Sequence, residues 1–199
     1  MGDVYFIRSI DLANIESILW RGSVLPGHEF CQLISQGSGW HLEGIAIFSH
    51  ERQACQLSYQ VICDADWYTR SAIVEGWLGN RMVNIQLRTD PNQNWWLNEV
   101  VVVEARGCID LDLNFSPSTN LIPIRRLKLA IGETANITAA WLKFPAFNLE
   151  PLPQRYRRLE EWLYRYESGG GKLVADLRVN RTGFVTDYPG IWQAETTSE

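Results

Sequence analysis

From about residue 22 onward, apolar and polar residues alternate one by one, and this period constrains the fold more than any single motif in the chain. Successive side chains of a strand point to opposite faces, so sustained alternation builds a sheet with one apolar face. In Leu57-Ser-Tyr-Gln-Val-Ile-Cys-Asp64, the residues Leu57, Tyr59, Val61 and Cys63 share one face, while Ser58, Gln60 and Asp64 share the other. This is the pattern of an antiparallel strand wetted on one side. The same reading covers 41–48, 70–78, 82–88, 95–104, 109–113, 138–144 and 173–179. Between them stand Gly79-Asn80, Asp90 to Asn94, Gly169 to Gly171 and Asn180 to Gly183, residues suited to tight turns, so successive strands are expected to be neighbours. The expected fold class is mainly β, an antiparallel sheet with one or two short helices.

Two segments invite a helix. Leu12, Ile15, Ile18 and Leu19 recur at helical spacing behind the possible caps Ser9 and Asp11, which predicts a helix over 9–20. Over 154–167 propensity favours a helix, yet Tyr164 and Tyr166 alternate with Arg165 and Glu167 as in a strand, and both readings stay open.

With 46% hydrophobic and 21% charged residues in 199, the chain matches an ordinary globular domain. We read it as one domain: an extension over 1–20, the sheet over 21–192 and a disordered tail over 193–199. Eighteen Lys and Arg against 23 Asp and Glu give a net charge of -5, and no basic run interrupts the balance, which argues against nucleic acid as a partner. The N-terminus has an acid at position 3 and no basic or long apolar region, and no apolar run reaches the length that spans a bilayer. The expected location is therefore cytoplasmic, with no integral membrane segment. Cys31, Cys55, Cys63 and Cys108 show no C-x-x-C spacing and sit in apolar runs, as buried thiols do, so neither metal nor other cofactor is expected.

Three groups of residues could carry chemistry. In Gly27-His-Glu-Phe-Cys31, adjacent His28 and Glu29 on a strand point to opposite faces and cannot easily act on one atom. His28 alone either titrates near neutral pH or bonds an oxygenated ligand, unless it is structural. Asp64 and Arg70 flank a turn with Trp67 between them; the pair either holds a corner of the sheet or offers a polar rim to a sugar stacked on Trp67. The densest group runs from Asp110 and Asp112 through Asn120 to Arg125 and Arg126. Read as strand residues, the two aspartates share a face, where they either work as an acid and base, bind a hard cation with Asn120, or pair with an arginine. Arg125 and Arg126, alternating across a strand, would send only one side chain to the aspartates. No phosphate loop, nucleophile elbow or zinc-protease motif is present.

Together with Ala140-Trp141, Gln154-Arg-Tyr156 and Gly183-x-Val-x-Asp187-Tyr-Pro189, these strings resemble the bacterial family named putative glycolipid-binding. The run Thr119-Asn-x-x-Pro-Ile-Arg-Arg-Leu127 carries most of the likeness, which extends from about Trp20 to Trp192. The resemblance implies a curved half-barrel, similar to lipoprotein-localisation carriers, with an apolar hollow for a lipid or glycolipid, and it implies strands around a turn for 154–167. On that basis the expected ligand contacts are His28, Tyr59, Trp67, Arg70, Trp77, Trp95, Asp110, Asp112, Asn120, Arg125, Arg126, Trp141, Tyr156 and Tyr188. Nine Trp, seven Tyr and seven Phe supply wide faces with polar tips, either for such a ligand or for the core. The alternatives are an enzyme on a lipid or sugar-like substrate, using Asp110, Asp112 and Arg125 or Arg126, and a protein-interaction module. Oligomeric state is not readable from the residues.

Overall fold

The structure is a computed structural model that describes residues 15–197. Its strands are β1 (Ile15–Gly22), β2 (Gly27–Gln36), β3 (Gly39–His50), β4 (Gln53–Asp64), β5 (Thr69–Leu78), β6 (Arg81–Thr89), β7 (Trp95–Leu97) and β8 (Val100–Val102) in the first half. β9 (Leu111–Asp112) and a helix, α1 (Leu121–Leu127), follow. The second half is β10 (Thr134–Lys143), β11 (Asn148–Glu160), β12 (Leu163–Ser168), β13 (Leu173–Val179), β14 (Val185–Tyr188) and β15 (Trp192–Thr197). All 15 strands form one sheet in the spatial order β8 to β1, then β15 down to β9. Two meanders are thus joined where β1 pairs antiparallel with β15, and the ends of the sheet, β8 and β9, remain unjoined.

The alternation read in the sequence is what builds this sheet. On β4, Cys55, Leu57, Tyr59, Val61 and Cys63 are all buried, while the residues between them are half-buried. Cross-strand neighbours continue the apolar layer: Leu57 lies opposite Ala46 and Gly76, and Val61 opposite Leu42 and Ala72. Burying each such aliphatic side chain contributes about 1.5–3 kcal/mol.

The expected helix over 9–20 is corrected for its described part: residues 15–20 belong to β1, and 9–14 lie outside the described residues. Ile18 and Trp20 are buried with alternate spacing, so the strand period prevails once β2 and β15 are there to pair with. At the other end, residues 193–197, expected in a disordered tail, pair as β15. Residues 154–160 and 163–168 are strands around a turn, as the resemblance implied.

The connection between the meanders positions the site. After β8 the chain crosses the inner face of the curved sheet before joining the opposite edge, where β9 pairs parallel with β10. On the way Trp95 Nε1 donates to Cys108 O, Leu111 N donates to Thr69 Oγ1, Ser116 bonds Glu29 of β2, and Asn120 bonds Tyr156 of β11. One segment thus touches both halves of the sheet, which curls around it. Leu111, Leu113, Phe115, Leu121 and Ile122 bring it into the core, each at most 1% exposed.

Arg125 and Arg126, read from sequence as neighbours on a strand, lie instead in the helix Leu121–Leu127. Pro123 sits in the first turn, where the amide proton it lacks would have no intrahelical partner, and Lys128 ends the helix at φ 47°. Seven residues do not hold a helix alone; burial of Leu121, Ile122 and Ile124 does. Strand pairing over 95–104 and 109–113 is likewise shorter than expected: the first is split by left-handed Asn98 and Glu99, and only Leu111 and Asp112 pair in the second.

Candidate functional site

The connecting segment does not fill the curve. Between it and strands β10 to β15 lies a hollow of about 590 Å³, reached also by Val24 and Leu25 of the β1–β2 turn. Its walls are apolar and aromatic: Trp141 and Phe144 at the end of β10, Leu152 on β11, Tyr166 on β12, Tyr188 on β14 and Trp192 on β15. The strand alternation that made one sheet face apolar also aims these rings inward.

A polar floor comes from the connecting segment, with Asp112, Asn114, Ser116 and Asn120 in the wall of the hollow. Asp112 Oδ1 accepts from Asn114 N at 2.7 Å and Oδ2 accepts from Gln154 Nε2 at 2.6 Å. Burial pushes its carboxyl above the usual carboxylate value, opposed by those two hydrogen bonds. Asn120 Nδ2 donates to Tyr156 Oη at 2.9 Å. Tyr166 packs against both Tyr156, in a tilted contact with centroids 5.0 Å apart, and Tyr188, edge to face at 6.0 Å. Burial raises the pKa of all three phenols, and the neighbouring Asp112 carboxylate raises them further. They stay protonated and can donate, while the aspartate and amide oxygens accept.

Behind Ser116 lies a carboxyl that sequence reasoning passed over. Glu29 is completely buried; its Oε1 accepts from Tyr59 Oη at 2.6 Å and Ser116 Oγ at 2.5 Å, and Ser116 is within 2.7 Å of Ser118 Oγ. Oε2 has no partner among the described atoms. Burial pushes its pKa up to about 8, against the lowering effect of Ser116 and Tyr59. The signal was available: Glu29 shares its strand face with the buried Cys31 and Leu33, an acid in an apolar row.

The expected contacts fall into three places. Asp112, Asn120, Trp141 and Tyr188 meet in the hollow, with Tyr156 directly behind Asn120. Trp67 and Arg125 line a different cleft, beyond α1. The others lie elsewhere. Tyr59 and Trp95 are core residues, the latter with its indole bonded to Cys108 O. Trp77 is half exposed on the sheet face opposite the core, beside the exposed Ile73 and Glu75. His28 is also exposed, 3.2 Å from Glu195. Arg70 bonds Asp64 at 2.5 Å, and Asp64 also accepts from the backbone of Asp66 and Tyr68, so the pair holds the corner of the sheet.

Asp110 and Asp112 do not act as a pair. Asp110, 1% exposed, takes both Nε (2.8 Å) and Nη2 (2.6 Å) of Arg126, whereas Asp112 is held by Gln154. Arg126 stays charged because Asp110 outweighs the cost of its burial. Only one of the two arginines reaches an aspartate, as expected, but because adjacent residues of a helix diverge by about 100° rather than because a strand alternates. Among the described residues no group of three His, Cys, Asp or Glu is arranged to hold a metal, and the four cysteines are buried free thiols. No helix among them is long and apolar enough to cross a membrane.

The family described as Putative glycolipid-binding matches residues 17–194. The chain belongs to that family. The match takes in every residue of the hollow and of the cleft beyond α1. Among solved structures, a DUF1089 family protein from Pseudomonas aeruginosa is 32% identical, with a TM-score of 0.72 over 83% of this chain and 91% of that one. A β-barrel-like protein of the domain of unknown function DUF1849 from Brucella abortus shares the fold at 8% identity, with a TM-score of 0.53 over 91% and 95% of the two chains. No curated protein matches.

Proposed function

We infer that this member of the glycolipid-binding family takes up an amphipathic, glycolipid-like molecule in the hollow beside the connecting segment. The observation that carries this reading is the mixed lining of one 590 Å³ space, a size suited to a small ligand. Phe144, Leu152, Trp141 and Trp192 offer apolar and aromatic surface for a chain or a sugar face, while Asp112, Asn120, Tyr166 and Tyr188 converge as acceptors and donors for hydroxyls. Asp112 and Asn120 are themselves fixed by Gln154 and Tyr156, so little side-chain ordering remains to oppose binding.

Native mass spectrometry of freshly purified protein, with organic extraction of whatever it releases, tests the reading without a guess at the ligand. Titration with octyl glucoside, octanol and glucose then separates its two halves. Octyl glucoside is expected to bind at least about tenfold more tightly than either fragment, and Trp192→Ala to weaken it by a similar factor. Equal binding of all three, or a Trp192→Ala variant indistinguishable from the parent, would remove the basis of the proposal.

A further inference from the structure

On the other side of α1 from Asn120 is a second cleft, of about 470 Å³, which shares no residue with the hollow. Its character is different. Arg125, Lys128, Arg158 and Arg181 line it against a single acid, Glu161, in a chain whose net charge is -5. None of these four cations is within ion-pair distance of a carboxylate among the described residues. Arg158 spends its N–H groups on the carbonyls of Leu129, Glu160 and Glu161, and so contributes field rather than contacts.

Arg125 is the unusual member. Trp67 is turned inward by a left-handed backbone (φ 67°) and stacks on Trp40 with centroids 4.8 Å apart and planes 15° from parallel. The Arg125 guanidinium lies 5.4 Å from the Trp67 ring and 6.0 Å from that of Trp40. From the other side Gly183, at φ 103°, packs so closely that a Cβ there would come 3.3 Å from Arg125 Cδ. The arm is therefore held in place, yet its guanidinium has no acid and no hydrogen-bond acceptor among the described atoms. Ordering an arginine side chain costs about 2 kcal/mol of rotamer freedom, which a carboxylate or phosphate ordinarily offsets. Trp162, 43% exposed, adds an open ring to the same wall.

We propose that this cleft is a second binding site, for a small molecule that carries a phosphate or similar oxyanion on a ring. The anion meets the fork of Arg125, which suits bidentate oxygen acceptors, with Lys128 and Arg181 beside it. The ring lies against Trp40 and Trp162. The oxyanion could belong to a free metabolite or to a lipid head group, and the chemistry is the same for both.

Isothermal titration of the full chain with phenyl phosphate, inorganic phosphate and phenol at low salt tests it. Phenyl phosphate is expected to bind at one site, more tightly than either fragment, and to weaken steeply as salt is added. Arg125→Gln should reduce its affinity about tenfold or more, and Lys128→Gln with Arg181→Gln several-fold. The double variant changes only exposed side chains and carries the test if circular dichroism shows that Arg125→Gln is misfolded. Sedimentation with phosphatidylcholine vesicles, with and without phosphatidylglycerol, assigns the source. Capture that depends on both Arg125 and the anionic lipid means a head group, and binding of phenyl phosphate alone means a soluble ligand. Octyl glucoside binding should survive Arg125→Gln, and phenyl phosphate binding should survive Trp192→Ala, so the two sites fail separately. Absence of saturable binding up to about 10 mM, or affinity unchanged in both the Arg125 and the double variant, overturns the proposal.

Discussion

Two acids are buried where the connecting segment crosses the sheet, and the molecule satisfies them by opposite means. Asp110, on the segment, is neutralised by the bidentate Arg126, in the last turn of α1 on the same connection. Glu29, on β2, has only hydroxyl donors from Tyr59 and Ser116, and one oxygen without a partner. The first is an ion pair, and the second is a carboxyl that burial keeps protonated up to about pH 8. Both bind the connection in place, Asp110 to the helix and Glu29 to the strands. The wall of the hollow that contains Asp112, Ser116 and Asn120 depends on both. A charge matched by a charge tolerates no loss of its partner, and burial still pushes the Asp110 carboxyl up against the pull of Arg126, whereas a neutral acid among hydroxyls tolerates substitution but responds to pH.

The largest expected effect is at the ion pair. Arg126→Leu strands the Asp110 charge where it is 1% exposed, and should lower stability by about 3–5 kcal/mol in urea unfolding. The double variant Arg126→Leu with Asp110→Asn should recover much of that loss. If it recovers nothing, packing by the arginine stem rather than charge holds the segment.

At Glu29 the prediction concerns slope. Below its ordinary value of 4.5 both folded and unfolded chains hold the proton. Between 4.5 and about 8 only the folded chain holds it, so each rise in pH disfavours folding, and above about 8 neither does. Relative to Glu29→Gln, the parent should therefore lose about 1.4 kcal/mol per pH unit across that window and nothing outside it. Parallel pH profiles for the two proteins would show instead that the carboxyl is not buried in its neutral form.

The contrast also explains what was legible in the sequence. The sheet was, because period 2 is a local property of each strand: Leu57 to Asp64 reads correctly on its own. So were the Asp64–Arg70 corner and the allocation of one arginine to an aspartate, since both depend on near neighbours. The helical spacing of Leu12, Ile15, Ile18 and Leu19 misled because β2 and β15, which decide β1, lie elsewhere in the chain. The same holds for α1, whose seven residues are helical only because the curled sheet buries them. Within the hollow, Asp112, Asn120, Trp141 and Tyr188 could be named, but Trp192, Tyr166 and Ser116 could not. Which aromatic faces which space depends on how the sheet curls around the connection, and no strand pattern encodes that. Trp77 and Trp95 look alike in sequence and end on opposite sides of the sheet for that reason.

A smaller effect is expected where the two arrangements meet geometry alone. Gly44 lies opposite Tyr59 on β3, and a Cβ there would overlap the Tyr59 phenol, which crosses its backbone on the way to Glu29. Gly44→Ala must move the ring, lengthening or breaking the bond to Glu29, and should cost about 1–3 kcal/mol. The check lies in the pH profile: with the hydroxyl displaced, the carboxyl loses a donor that favours its ionised form, so the pH-dependent fall in stability should extend to higher pH than in the parent. If stability drops but that upper limit stays fixed, Tyr59 fills space beside Glu29 without governing its proton.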